Sequence, residues 1–287
     1  VTGISISHLA HLSETEMPIF RVVPNIAITE HSSLTLITSR KAGKEHQQLI
    51  KQTFEEGGKS VSMKDLDAAT QLVHAGRDWD PEWGCVNPPV VRASTVLHTS
   101  CEDMMDRVHD EMACRDGKPC YGSYGGPAHK AFYSAMKTLE GPNAAGAWAF
   151  STGLAATTTP LFAFVRAGCH ALFSDSIYGP TREFAEQILR TMGVDVEFFD
   201  PAASPEAIEA MMRPETTLLM MENPGSHSFE MSDVPGIAAA CRRHGVTSVI
   251  DNTWATPLYF KPLDHGVDMV VHAATKYIAG HSDLLMG

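Results

Sequence analysis

The sequence predicts an α/β protein, with a mostly parallel sheet flanked by helices on both faces. Two observations predict this class. Between residues 147 and 271, short apolar runs of strand length alternate with longer segments of helical pattern. The 287 residues are also 44% hydrophobic, which is enough for a substantial buried core. Alternating strands and helices place successive strands in parallel, and ligands then bind at the carboxyl ends of the strands.

The predicted elements follow one another along the chain. Strands are expected at residues 147–150, 171–173, 194–199, 217–221, 246–250 and 270–271. Helices are expected at residues 154–165, 181–192 and 232–244. A further short helix is expected to begin at Ser204 and Pro205, because serine is a good N-cap and proline is tolerated in the first helical turn.

The composition limits the function. Twenty-two basic against 34 acidic residues give a net charge of -12, and no dense Lys/Arg cluster indicates a nucleic-acid or anionic-membrane surface. No apolar run approaches the roughly 20 residues that span a bilayer, and no signal peptide is evident. Six irregularly spaced cysteines, without a Cys-x-x-Cys pair, indicate neither zinc nor a disulfide framework. We therefore expect a cytoplasmic protein that acts on a small molecule.

Three predicted strand ends carry residues with chemical potential. Gly153 lies at a helix start that could bind phosphate through backbone N–H groups, or it could simply allow a tight turn. Asp251 could cap a helix, join an ion pair, or hold a proton on a heteroaromatic nitrogen. Lys276 could extend its amine to solvent or act as a nucleophile. Each residue alone is ambiguous.

Taken together, these three residues favour a pyridoxal 5'-phosphate site. The aldehyde of this cofactor needs an amine, its ring nitrogen an anion, and its phosphate a set of donors. A metal site is not expected. His272 and His281 flank the lysine, but they have no His-x-x-x-His or paired-cysteine spacing.

From about residue 66 onward, the sequence resembles the Cys/Met metabolism (cystathionine-metabolism) family of pyridoxal-phosphate enzymes, and within it the bacterial β-lyases. Six ordered motifs carry the resemblance. They are Tyr121-Gly-Ser-Tyr-Gly125, Ser151-Thr-Gly-Leu-Ala-Ala156, Asp175-Ser-Ile-Tyr-Gly-Pro-Thr181, Glu222-Asn-Pro-Gly-Ser226, Asp251-Asn-Thr-Trp254, and Ala274-Thr-Lys-Tyr277 with Gly280-His-Ser-Asp283. The resemblance implies a fold type I large domain and carbon–sulfur bond cleavage.

The resemblance also implies roles for individual residues. Lys276 would form the Schiff base with the cofactor aldehyde and later serve as the base, and Asp251 would pair with the ring nitrogen. Gly153 and Leu154 would offer backbone N–H groups to the phosphate, and Thr275 would add a hydroxyl.

Two tyrosines complete the implied site. Tyr178 would stack on the cofactor ring, and Tyr121 would reach the cofactor and substrate from a neighbouring subunit. A homodimer is then the minimal active unit, and a homotetramer is expected. Residues 126–287 would be the cofactor-binding large domain, and residues 63–125 an arm that serves the neighbouring site. Residues 1–62 are expected to be a poorly ordered extension, either a gene-calling artefact before Met63 or a segment that packs on a partner subunit.

The sequence departs from the family at two places. Ser123 stands where many relatives have an arginine that clamps the phosphate, and a hydroxyl cannot replace a bidentate charge. The resemblance also implies a further C-terminal domain, with an arginine for the substrate carboxylate, that is absent from this sequence. The expected reaction is α,β-elimination of cystathionine to homocysteine, pyruvate and ammonia. A γ-replacement synthase or γ-lyase, or a truncated non-catalytic cofactor-binding fragment, remain as alternatives.

Overall fold

The computed structural model describes residues 19–23, 36–40, 70, 72, 75–76, 87–113 and 118–287. The chain forms two compact units, Val1–Gln71 and Leu72–Gly287. In the first unit, strands β1 (Ile19–Val23) and β2 (Leu36–Arg40) pair antiparallel. The other residues of the 1–62 extension lie outside the described residues, so its predicted character stays a prediction.

The second unit contains seven helices and five strands among its described residues. In chain order they are α1 (Cys101–Met112), α2 (Pro127–Glu140), α3 (Gly153–Phe164), β3 (His170–Ser174), α4 (Gly179–Glu183), β4 (Asp195–Phe199), α5 (Pro205–Glu209), β5 (Thr216–Glu222), α6 (Val234–His244), β6 (Thr247–Asp251), α7 (Thr256–Tyr259) and β7 (Met269–Val271). Short 3-10 turns cover Gly122–Tyr124 and Pro262–His265. No helix in the described part of the chain is long and apolar enough to cross a membrane.

The five strands of the second unit form one parallel sheet in the order β4-β3-β5-β6-β7. This confirms the predicted parallel α/β class. Residues Glu222 and Asp251 are register partners at the ends of β5 and β6, and Asp251 is in turn the partner of Val271 on β7. The last residues of three adjacent strands therefore lie side by side at one edge of the sheet.

Apolar clusters cover both faces of this sheet, as the near-continuous apolar strands predict. On one face, Leu161 of α3 packs in a cluster with Val249 of β6. On the other face, Ile237 of α6 packs in a cluster with the next strand residue, Ile250. Because successive strand side chains point to opposite faces, β6 contributes to both clusters and is packed on both sides.

The structure differs from the prediction in three places. The strand expected at residues 147–150 is not formed, although Phe150 exchanges two backbone hydrogen bonds with Gly287. The helix expected at 181–192 begins at Gly179 and continues as a π-helix over Phe184–Leu189. The helix expected from residue 232 begins at Val234, because Asp233 rather than Ser232 caps it by accepting the N–H of Gly236.

Strand β4 forms one edge of the described sheet. Arg213 spans two acidic side chains of this strand, and its guanidinium donates to Asp195 Oδ2 and to Glu197 Oε2, each at 2.5 Å. All three side chains are at least one-third exposed. The edge strand thus presents a row of paired charges.

Candidate active site

Asp251 is the last residue of strand β6, between β5 and β7, and is buried. Its carboxylate accepts two hydrogen bonds from Thr253, one from the hydroxyl to Oδ1 at 2.5 Å and one from the backbone N–H at 3.0 Å. Both donors belong to the turn that leaves the strand. The sequence Asp-Asn-Thr therefore fixes the orientation of a buried carboxylate at the ligand-binding edge of the sheet.

The same threonine connects Asp251 with the lysine turn. Thr253 Oγ1 accepts the backbone N–H of Ala273 at 2.8 Å, and the carbonyl of Ala273 accepts the N–H of Lys276 at 2.9 Å. Lys276 itself is exposed. A continuous run of hydrogen bonds thus joins the carboxylate at the end of β6 to the amine-bearing turn after β7.

Gly153, the first residue of helix α3, lies against the same alanine. A Cβ added at Gly153 would lie 2.6 Å from Ala273 Cβ, far closer than non-bonded carbons approach. Thr152 caps the helix by accepting the N–H of Ala155 at 3.0 Å. Since the first N–H groups of a helix have no intrahelical acceptor, those of Gly153 and Leu154 are suited to binding an anion.

Tyr178 reaches this edge from the turn after β3. Its backbone N–H donates to Glu222 Oε2 at 2.6 Å, while its side chain is 45% exposed. The other carboxylate oxygen of Glu222 accepts the hydroxyl of Ser226 at 2.8 Å. Glu222 therefore fixes the backbone of the predicted ring-stacking residue from the strand next to Asp251.

Sequence reasoning gave Glu222 no role. It was noted only as the first residue of a family motif. An acidic residue directly after the apolar run of a predicted strand was the available signal, the same signal that identified Asp251. Pairing the two carboxylates required the register of β5 with β6, which the sequence does not display.

Burial raises the pKa of both carboxylates at this end of the sheet. Burial raises the pKa of Glu222 to about 7, and the nearby charge of Asp251 adds to that rise. Burial also raises the pKa of Asp251, opposed by the two Thr253 hydrogen bonds and by the charge of His272. Ionisation of both carboxylates at once is therefore unfavourable, and a cation next to Asp251 would reduce their repulsion.

Thr275 lies in the lysine turn, and its hydroxyl is engaged with the backbone of Met286. It donates to the Met286 carbonyl at 3.1 Å and accepts the Met286 N–H at 2.9 Å. A hydroxyl has one proton to donate. The Thr275 hydroxyl can therefore donate to a phosphate, as predicted, only if it gives up its hydrogen bond to the Met286 carbonyl.

Tyr121 lies on the segment before helix α2. It pairs antiparallel with Thr95 in an isolated bridge, and the following residue, Gly122, donates its N–H to the Ser94 carbonyl at 2.7 Å. The Tyr121 side chain is 48% exposed, and Ser123 is also exposed. The described contacts of Tyr121 are thus with its own segment, and its role toward a neighbouring site stays a prediction.

The arrangement around Ala273 fits pyridoxal phosphate. Gly153 has no side chain, so the start of α3 packs directly against Ala273 of the lysine turn, and the free helix N–H groups there suit the phosphate. The cofactor also needs an amine and an anion for its ring nitrogen, and Lys276 and Asp251 are the predicted sources of these two groups. The fold and the site thus define a pyridoxal-phosphate-dependent enzyme of the α/β class.

Comparison with known protein families identifies the family to which this enzyme class belongs here. The model of the family described as Cys/Met metabolism PLP-dependent enzyme matches residues 69–287, and the chain belongs to this family. Pyridoxal phosphate is therefore its cofactor.

Individual relatives carry several different names. Cystathionine β-lyase MetC of Escherichia coli is 37% identical over 227 residues, which are 78% of this chain and 56% of that protein. The L-alanine/L-glutamate racemase of Wolbachia pipientis is 39% identical over 222 residues, which are 75% of this chain and 54% of the racemase. The chain thus spans little more than half the length of these relatives.

A solved structure agrees with the fold. Cystathionine γ-lyase from Lactobacillus plantarum, complexed with L-serine, superposes with a TM-score of 0.67 at 30% identity. The match covers 79% of this chain and 54% of that one. The family and fold are therefore consistent, whereas the relatives' names include a β-lyase, a γ-lyase and a racemase.

Proposed function

We propose that the protein is a carbon–sulfur lyase that performs α,β-elimination on an amino-acid thioether. With cystathionine and one water molecule, the products are homocysteine, pyruvate and ammonia. One observation carries the proposal: Thr253 and Ala273 join the Asp251 carboxylate to the Lys276 turn by hydrogen bonds. The name of the E. coli relative supports the choice of a β-lyase.

Each site residue has a defined task in this proposal. Asp251 holds a proton at the ring nitrogen of the cofactor, and Thr253 keeps the carboxylate oriented. The N–H groups of Gly153 and Leu154 bind the phosphate. When bound, pyridoxal phosphate supplies an electron sink next to the substrate α-carbon. Lys276 Nζ would then accept the α-proton, and the sulfur would leave Cβ with the electron pair of the C–S bond and take up a proton to become the thiol.

The rim of the site is apolar enough to contact a thioether chain. Trp254 lies next to the lysine turn, with its ring centroid 5.8 Å from that of Tyr277 and 5.0 Å from that of Phe229. All three rings are at least 40% exposed. We propose that this aromatic cluster contacts the uncharged part of the substrate, since flat rings provide large contact areas at low entropic cost.

We propose further that the active form is a homo-oligomer in which Tyr121 serves a neighbouring site. Its half-exposed ring supports this, because a large aromatic side chain on a surface segment is available for contact with another chain. Sedimentation of the wild-type protein tests the assembly. Mixing Tyr121→Phe with Lys276→Ala subunits tests sharing, because mixed dimers would regain one intact site.

The reaction is tested by product analysis. The protein is incubated with pyridoxal phosphate and cystathionine, and pyruvate and 2-oxobutyrate are measured separately. Pyruvate supports the β-lyase, whereas 2-oxobutyrate as the main product would identify a γ-lyase, as the L. plantarum neighbour is named. Chiral analysis with L-alanine tests racemisation, the activity in the name of the Wolbachia relative. Lys276→Ala is the control and should lower turnover at least about 100-fold.

A further inference from the structure

A buried acid–histidine pair lies outside the set of residues assigned above. Glu140 is the last residue of helix α2, and His272 is the first residue after strand β7. Glu140 Oε1 lies 2.5 Å from His272 Nε2, although 132 positions separate the residues in sequence. Both residues are more than nine-tenths buried. In this hydrogen bond an ionised carboxylate would accept from a protonated Nε2.

This pair is costly to build. A carboxylate at the carboxyl end of a helix faces the negative end of the helix dipole, and burial removes its hydration. Glu140 Oε2 and His272 Nδ1 are both buried and have no hydrogen-bond partner within the described residues. Replacing such a pair by apolar residues often costs nothing in stability, so stability alone is a weak reason for its presence.

The backbone next to His272 leads directly to the cofactor site. Ala273, the next residue, donates its N–H to Thr253 Oγ1, and that hydroxyl donates to Asp251 Oδ1. The Ala273 carbonyl accepts the N–H of Lys276. The charge of His272 also lowers the pKa of Asp251 against the larger effect of burial. A displacement of His272 would therefore move both the lysine turn and the carboxylate.

We propose that Glu140 and His272 are positioning residues, which anchor the Lys276 turn and the Thr253–Asp251 contact to helix α2. Glu140 holds the imidazole from one side, and the strand end holds it from the other. The inference concerns cofactor binding and holds for whichever reaction follows, so a wrong product assignment leaves it intact.

Glu140→Ala is the principal test variant, and Glu140→Gln is its conservative partner, since an amide oxygen can still accept from Nε2. His170→Asn is the matched control. His170 is also a buried histidine next to a glutamate, with Nε2 3.3 Å from Glu197, but it lies at the opposite, amino end of β3. If Glu140→Ala does not fold, His272→Asn removes the imidazole that contacts Glu140 and gives the same test.

Two measurements separate positioning from general stability. The first is the Kd of pyridoxal phosphate for the apoprotein, from the absorbance of the lysine-bound cofactor. The second is hydrogen exchange of residues 269–280 in the apoprotein, which needs no cofactor. Glu140→Ala is expected to weaken binding roughly 2- to 150-fold, the range for residues in one hydrogen-bond network, and to speed exchange in that segment.

The controls decide the interpretation. Glu140→Gln is expected to retain most of the affinity, and His170→Asn to lower the Tm while leaving the Kd and the exchange of residues 269–280 unchanged. If Glu140→Ala lowers the Tm as His170→Asn does but changes neither the Kd nor that exchange, the pair is merely structural and the proposal is wrong. If the wild-type protein binds no cofactor, the exchange measurement still decides the positioning role.

Discussion

Replacing Glu222 by glutamine should stabilise the apoprotein at alkaline pH. Glu222 is 4% exposed, and its pKa of about 7 in the folded protein exceeds its ordinary value of 4.5. The folded state therefore holds this proton more tightly than the unfolded state does. The resulting stability is fully present below pH 4.5 and is lost as the pH rises through about 7.

The magnitude follows from the two pKa values. The difference between about 7 and 4.5 corresponds to about 3 kcal/mol of unfolding free energy at pH 8, where the folded protein must carry the buried charge. At pH 5 the same linkage lowers the free energy of unfolding by only about 1 kcal/mol or less. Glutamine has no charge to bury. Its amide can also accept from the Tyr178 N–H and donate to Ser226 Oγ, so both hydrogen bonds of the carboxylate have replacements.

Urea unfolding of the apoprotein at pH 5 and pH 8 measures this effect. Glu222→Gln should exceed the wild type by up to about 3 kcal/mol at pH 8, with the gain shrinking toward pH 5. Glu209→Gln is the control and should lower the free energy of unfolding, because the hydrogen bond from Arg243 lowers the pKa of the partly buried Glu209 to about 2. A Glu222→Gln variant that is no more stable than the wild type at pH 8, or whose gain does not depend on pH, would refute the reasoning.

Three further predictions concern the site. Gly153→Ala should lower the free energy of unfolding by about 1–3 kcal/mol in urea titrations and weaken cofactor binding, because the added methyl displaces Ala273; unchanged affinity would contradict the close-contact argument. Ser123→Arg should tighten cofactor binding in titrations of the apoenzyme through a bidentate phosphate contact, and an unchanged Kd would argue against a weakened clamp. Asp251→Asn should lower kcat roughly 100-fold or more in the pyruvate assay, since the anion at the ring nitrogen is lost; near-normal turnover would remove Asp251 from the proposal.

The sequence was sufficient to predict the layered fold. Strands such as β3 are buried on both faces, so their apolar runs are continuous, and the helices between them enforce parallel order. Helix starts were less predictable. Ser232 and Asp233 are both good capping residues, and only the fold shows that Asp233 accepts the N–H of Gly236.

The candidate site was predicted in part. What the sequence did not predict is the set of tertiary contacts between distant residues. Asp251 and Lys276 follow their strands directly, so their position at the ligand-binding edge could be inferred. Glu140 and His272 are 132 positions apart, and no local pattern indicates that they meet. Glu222 needed the strand register to become the neighbour of Asp251. Chemistry at strand ends is therefore visible in one sequence, whereas contacts between distant elements are not.

The charged row on β4 affects how the protein behaves at high concentration. An open strand edge offers unpaired N–H and C=O groups that can recruit a strand from another molecule and start aggregation. Here a second chain approaching β4 would have to strip water from the partly exposed charges of Arg213, Asp195 and Glu197, which is unfavourable. The guanidinium that spans two acids thus acts as a barrier to aggregation, at a place remote from any chemistry.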